Sequence, residues 1–135
     1  MEQREREELC VALIVATEAR GEPLRGQIAV AWTIKNRAAK PRWWGKTIIE
    51  VATKPGQYDG YTAAVKQGIF EALKIVNDQH LWVARGVLAG LIQEPEETDK
   101  ATHYFNPKAV THAPDWSKKL PFAGSIGNHD FYVEA

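Results

Sequence analysis

The chain has 135 residues, and its 17 Lys+Arg balance its 17 Asp+Glu to a formal charge of zero. That length suits one compact domain over 1–135, and 44% hydrophobic with 25% charged residues suffices for a packed core, which excludes a disordered chain. Charge balance excludes a strongly basic nucleic-acid binder. The single Cys10 excludes an intrachain disulfide or a CxxC pair, and no apolar run is long enough to cross a membrane.

The opening MEQREREEL is charged from its second residue, and the apolar stretch Leu9–Ala16 is short and lacks a small-residue cleavage pattern. A secretory signal needs a basic start, a longer apolar core and a cleavage site, so synthesis in the cytoplasm without a signal peptide is expected. Residues 3 to about 19 suit a helix whose second half, apolar on every side, must be buried, with Gly21 as its terminator. Pro23 fits the first turn of a second helix that carries Ile28, Val30, Ala31, Ile34 and Ala38 and stops before Pro41. Trp43-Trp44-Gly45 reads as a loop, Ile48 to Ala52 as a short helix, and 55–62 (PGQYDGYT) as a loop or ragged strand. Helical patterns return over Val65 to Val76 and from Gln79 to about Gly90. Beyond Pro95, Thr102 to Phe105 and His129 to Val133 are short aromatic strands between Asn, Pro and Gly turns, while GSIG at 124–127 carries no signal of its own. The expected class is α+β, mainly helical with a small irregular sheet.

Glu18 closes the first helix. Desolvation favours its neutral form, and the negative end of the helix dipole acts the same way, so both raise its pKa toward what a general acid needs. A surface ion pair with Arg20 explains the same residues equally well. Glu22, beside Pro23, reads as a helix-start charge rather than a catalytic group. His103, His112 and His129 lack zinc-ligand spacing and read as groove or structural residues, with no cofactor implied. Cys10 reads as inert core. Flat rings beside amides suit sugars, whose C–H faces stack while their hydroxyls bond. On that ground Gln57, Tyr104 and Asn106 are groove candidates, whereas Phe105, Phe131 and Trp32 read as packing.

Four segments in order resemble the SleB/CwlJ-type cell-wall hydrolases. They are Ala16-Thr17-Glu18-Ala19-Arg20-Gly21-Glu22-Pro23 with Gly26–Ala31 and Asn36-Arg37; Pro55-Gly56-Gln57-Tyr58; Ala101–Pro107; and Ile126–Tyr132. Thr17, Lys100 and Phe105 depart from the pattern, and residues 60–78 match it poorly. The resemblance implies a small lysozyme-like, lytic transglycosylase-like domain that cuts peptidoglycan with Glu18 as the acid. Gln57, Tyr58, Tyr104 and Asn106 would hold the sugar, with His129 and Tyr132 lining or supporting the groove.

Under that resemblance the bond cut is the β-1,4 link from N-acetylmuramic acid to N-acetylglucosamine, and the product carries 1,6-anhydro ends. The alternatives are a hydrolytic muramidase using Asp59 or Asp99 as second carboxylate, a zinc amidase on the three histidines, and a wall-binding module without turnover. The expected partner is bacterial peptidoglycan, engaged by a monomer with no nucleic acid and no membrane insertion, in a phage-type lysin that reaches the wall after release.

Overall fold

A helix that is apolar on every side has one stable place, the centre. In the computed structural model, which describes residues 2–135, helix α1 (Gln3–Glu18) buries Val11, Ala12, Leu13, Ile14, Val15 and Ala16. Around it pack α2 (Leu24–Ala39), α3 (Ile48–Thr53), α4 (Asp59–Gln67) and α6 (Asp78–Leu88), with the short α5 (Ile69–Leu73) against α4. Helix α2 starts directly after Pro23 and ends before Pro41, as proline sterics require. At the start of α6, Asn77 Oδ1 accepts from the His80 N–H at 2.9 Å and His80 Nδ1 accepts from the Asn77 N–H at 3.0 Å, so His80 is a capping residue. No helix among the described residues is long and apolar enough to cross a membrane.

Strands β1 (His103–Phe105), β2 (Phe122–Ile126) and β3 (His129–Tyr132) form an antiparallel sheet in the order β1-β3-β2. His103 pairs with Tyr132 and Phe105 with Asp130. Alternation turns Tyr104, His129 and Phe131 toward the helices and Phe105, Asp130 and Tyr132 away from them. This is the expected α+β architecture.

Three local expectations change. Residues 59–62 are helical, because Asp59 sits in a first turn and Tyr61 is drawn inward to Cys10 (Oη to Sγ 3.6 Å). The single helix expected over 65–76 is two, broken at Gly68. Gly124 to Ile126 belong to β2, a strand legible only through its partner β3.

The β2–β3 turn is Gly127-Asn128, with Gly127 at φ +59°, a backbone state that glycine adopts without strain. Here Glu22 departs from its reading as a solvated helix-start charge. It is buried, and its carboxylate accepts from the Asn128 N–H and from Asn128 Nδ2, each at 2.9 Å. It therefore pins the hairpin turn to the α1–α2 junction. Glu22→Ala leaves two part-buried Asn128 donors unpaired, and urea unfolding should show a loss of about 1–3 kcal/mol.

Candidate active site

The carboxyl of Glu18 lies where the last turn of α1 adjoins the first turn of α4. It closes α1, whose C-terminal dipole is negative, and faces the first turn of α4, whose dipole is positive. Glu18 Oε2 accepts from the Gly60 N–H at 3.2 Å, satisfying a donor that the start of α4 cannot use internally. The approach depends on Gly60 lacking a side chain, since a Cβ there would stand 2.7 Å from Oε2 and 3.2 Å from Thr17 Cβ. Tyr104 Oη donates to Oε1 at 3.5 Å. Burial raises the Glu18 pKa; the Gly60 N–H opposes it, the nearby Asp59 charge adds to it, and the Tyr104 hydroxyl opposes it. The net direction is upward. Tyr104 is half-buried, and desolvation with the neighbouring Glu18 charge holds its hydroxyl protonated well above neutral pH, so it remains a donor. Arg20 is exposed and forms no ion pair with Glu18, which removes the surface-bridge alternative.

Glu18 opens into a cavity of about 190 Å³ lined also by Arg37, Trp43, Gly56, Gln57, Tyr58, His103, Tyr104 and Trp116. Three of the expected sugar-holding residues, Gln57, Tyr58 and Tyr104, thus converge on the carboxyl. Three others do not line this cavity. Asn106 spends its side-chain oxygen on the Lys108 N–H at 2.9 Å, closing the turn after β1. His129 is buried with its ring 5.0 Å from Tyr104, edge on, and supports Tyr104 from behind. Tyr132 is on the outer sheet face, against Trp116 and Phe122.

Arg37, which the sequence offers only as part of the Asn36-Arg37 motif, is the cavity's organiser. Its Nε donates to the Thr102 carbonyl at 2.6 Å and its Nη1 to Gln57 Oε1, while its own carbonyl accepts from Trp44 Nε1 at 2.8 Å. The guanidinium also lies 5.2 Å from the Trp44 ring and 5.9 Å from both Trp43 and Tyr58. A signal existed: Arg37 continues the buried stripe Val30, Thr33, Ile34 of α2 at helical spacing, a position where an unpaired cation is costly.

His103 lines the cavity as a neutral ring. Burial, and secondarily the Arg37 charge, push its pKa down to about 4, so its 3.7 Å approach to Glu134 is not an ion pair at neutral pH. His103, His112 and His129 do not assemble: His112 is exposed, and His129 sits beside Glu22. No group of three or more His, Cys, Asp or Glu among the described residues is arranged to hold a metal ion.

Comparison with known proteins places this arrangement. The profile of the cell wall hydrolase family matches residues 21–132. The chain belongs to the cell wall hydrolase family. The match includes every cavity residue except Glu18, three positions before it begins. Among curated relatives of this family member, the spore cortex-lytic enzyme of Halalkalibacterium halodurans is 33% identical over 128 residues, and that of Oceanobacillus iheyensis 32%. Each match covers 90% of this chain but only 33% and 39% of the relative, so the chain spans little more than a third of their length. Among solved structures, the catalytic domain of the germination-specific lytic transglycosylase SleB from Bacillus anthracis superposes with a TM-score of 0.75 at 29% identity, covering 98% of this chain and 96% of that one. The catalytic domain of the Bacillus cereus SleB protein gives the same TM-score at 27% identity, covering 98% of each chain. The mainly helical fold with its three-stranded sheet is therefore the SleB catalytic-domain fold.

The raised Glu18 pKa has a consequence for stability. Below the unfolded value of 4.5, Glu18 is protonated in both states and nothing is lost. As pH rises through the higher folded value, the folded protein must ionise a half-buried carboxyl and loses stability. Glu18→Gln escapes that loss. Its melting temperature should exceed that of the wild type at pH 8 and converge with it near pH 4, read by scanning calorimetry across pH.

Proposed function

We propose that this chain cleaves the glycan strands of peptidoglycan between N-acetylmuramic acid and N-acetylglucosamine, with Glu18 as the single acid and base. One observation carries the reading: a half-buried carboxyl with a raised pKa stands at the wall of a cavity lined by aromatic rings and the Gln57 amide. The family, and relatives named as cortex-lytic enzymes and a lytic transglycosylase, support it.

In this mechanism protonated Glu18 gives its proton to the glycosidic oxygen as the C1–O bond breaks through an oxocarbenium-like state. The new carboxylate is stabilised by the Gly60 N–H and the Tyr104 hydroxyl already aimed at its two oxygens. It then takes the proton of the muramoyl C6 hydroxyl, whose oxygen attacks C1 and closes a 1,6-anhydro ring. The attacking group belongs to the substrate, so its effective molarity is high and no second carboxylate is obligatory. Gln57, fixed by Arg37, and the Tyr58 and Tyr104 rings position the sugar, and the neutral His103 adds a polar contact without charge. All of these groups come from one chain, which suffices as a monomer acting at the cell wall.

The hydrolytic muramidase has one observation in its favour: the Asp59 charge acts on Glu18, as a second carboxylate near the bond would. Neither Asp59 nor Asp99 lines the cavity itself.

Digestion of purified peptidoglycan followed by mass spectrometry separates the two. The expected products carry 1,6-anhydromuramic ends, and Glu18→Gln should lower the rate by about 10³-fold. Reducing muramic ends alone would establish hydrolysis, and full activity of Glu18→Gln would refute the assignment of the acid. Because catalysis needs protonated Glu18, kcat/KM should fall as pH rises through its pKa. Asp59→Asn removes a charge that raises that pKa, so the alkaline limb should move to lower pH with turnover retained. Collapse of turnover in Asp59→Asn would instead identify Asp59 as the base.

A further inference from the structure

Past the cavity, the outer face of the sheet carries a row of rings that the proposed chemistry does not use. Trp116, at the cavity's edge, lies 5.3 Å from Tyr132 across the sheet, and Tyr132 lies 5.4 Å from Phe122 on the far edge strand. Phe105 stacks on Tyr132 at 6.0 Å. Phe122 is 58% exposed, the most open ring of the group. Beside the rings, Ser125 Oγ donates to Asp130 Oδ1 at 2.6 Å, which leaves Asp130 Oδ2 without a protein partner among the described residues.

We propose that this face is a second glycan-binding platform, continuous with the Glu18 cavity through Trp116, on which a peptidoglycan strand lies as it leaves the cleavage point. The inference rests on the proposed glycan substrate and extends it beyond the two sugars at the bond. Trp116 and Phe122 each meet Tyr132 edge to face, at 76° and 68°, so the exposed Phe122 and the half-buried Trp116 and Tyr132 offer a stepped apolar surface to the C–H faces of sugars, and a carboxylate oxygen at their margin accepts from sugar hydroxyls. An apolar partner would leave that carboxylate unpaired and desolvated, and an anionic surface would be repelled by it. Continuity with the cavity favours a polymer over a separate small ligand. A second contact area on the same strand also strengthens retention by effective concentration without tightening the cavity itself.

The test is binding to insoluble purified peptidoglycan by sedimentation, in Glu18→Gln protein so that turnover does not consume the wall. Adding Phe122→Ser should weaken binding about fivefold to tenfold, the worth of one aromatic contact, and Phe122→Trp should restore it. Phe122 lies on an edge strand and is exposed, so the replacements leave the core intact, and unchanged melting curves verify this. Phe70, 82% exposed on α5 and remote from the sheet, is the control: Phe70→Ser should leave binding unchanged. Undiminished binding of the Phe122→Ser protein, an equal loss from Phe70→Ser, or no binding by the Glu18→Gln protein itself would each overturn the platform. Binding that depends on Phe122 in a protein whose wild type releases no glycan fragments would retain the platform and refute the proposed catalysis instead.

Discussion

The site depends on one carboxyl held between opposing helix ends. Burial and the end of α1 drive Glu18 toward its neutral form, while the Gly60 N–H at the start of α4 and the Tyr104 hydroxyl stand ready for the charged form. A group needed in both states within one catalytic cycle requires such a balance. Complete burial without donors would trap the proton, and full exposure would lose it at neutral pH. Gly60 sets the balance geometrically, because a side chain there would displace the Glu18 carboxylate from the Gly60 N–H.

The walls of the cavity come from segments far apart in the chain, and a single cation draws them together. Arg37 projects from α2 to hold the Thr102 carbonyl before β1 and the amide of Gln57 in the 55–58 loop, with the tryptophan rings of the 43–44 loop 5.2 and 5.9 Å from its guanidinium. Lysine could not replace this fork, which needs two divergent N–H directions and a planar group between rings. Four residues beyond Glu18, at the α1–α2 junction, Glu22 does comparable work on the β2–β3 turn. Two ionisable residues that look alike in sequence, Glu18 and Glu22, thus divide into one that faces a cavity and one whose oxygens are fully engaged by backbone and amide donors.

Periodicity made α1, α2 and α6 legible, because their apolar stripes are long and end at Gly or Pro. It failed at 59–62, where the helix is held by contacts from outside the segment: Glu18 on its first turn and Cys10 beneath Tyr61. It failed again at β2, whose residues Phe122 to Ile126 acquire strand geometry from pairing with β3 rather than from their own preference. In the site, Glu18, Gln57, Tyr58 and Tyr104 were legible from residue chemistry and motif order. Asn106, His129 and Tyr132 carry the same chemistry, but strand alternation and a tight turn direct them elsewhere. Arg37 escaped because an arginine on a helix announces nothing until its stripe is recognised as buried.

The most direct measurement is the titration of the Glu18 side-chain carboxyl itself, followed by carbon NMR in the wild-type protein with Glu18→Gln to assign the signal. A midpoint displaced above the ordinary glutamate value of 4.5 is expected. A midpoint at or below that value would contradict the account, for the carboxyl would then be a solvated or ion-paired anion with no proton to give near neutral pH.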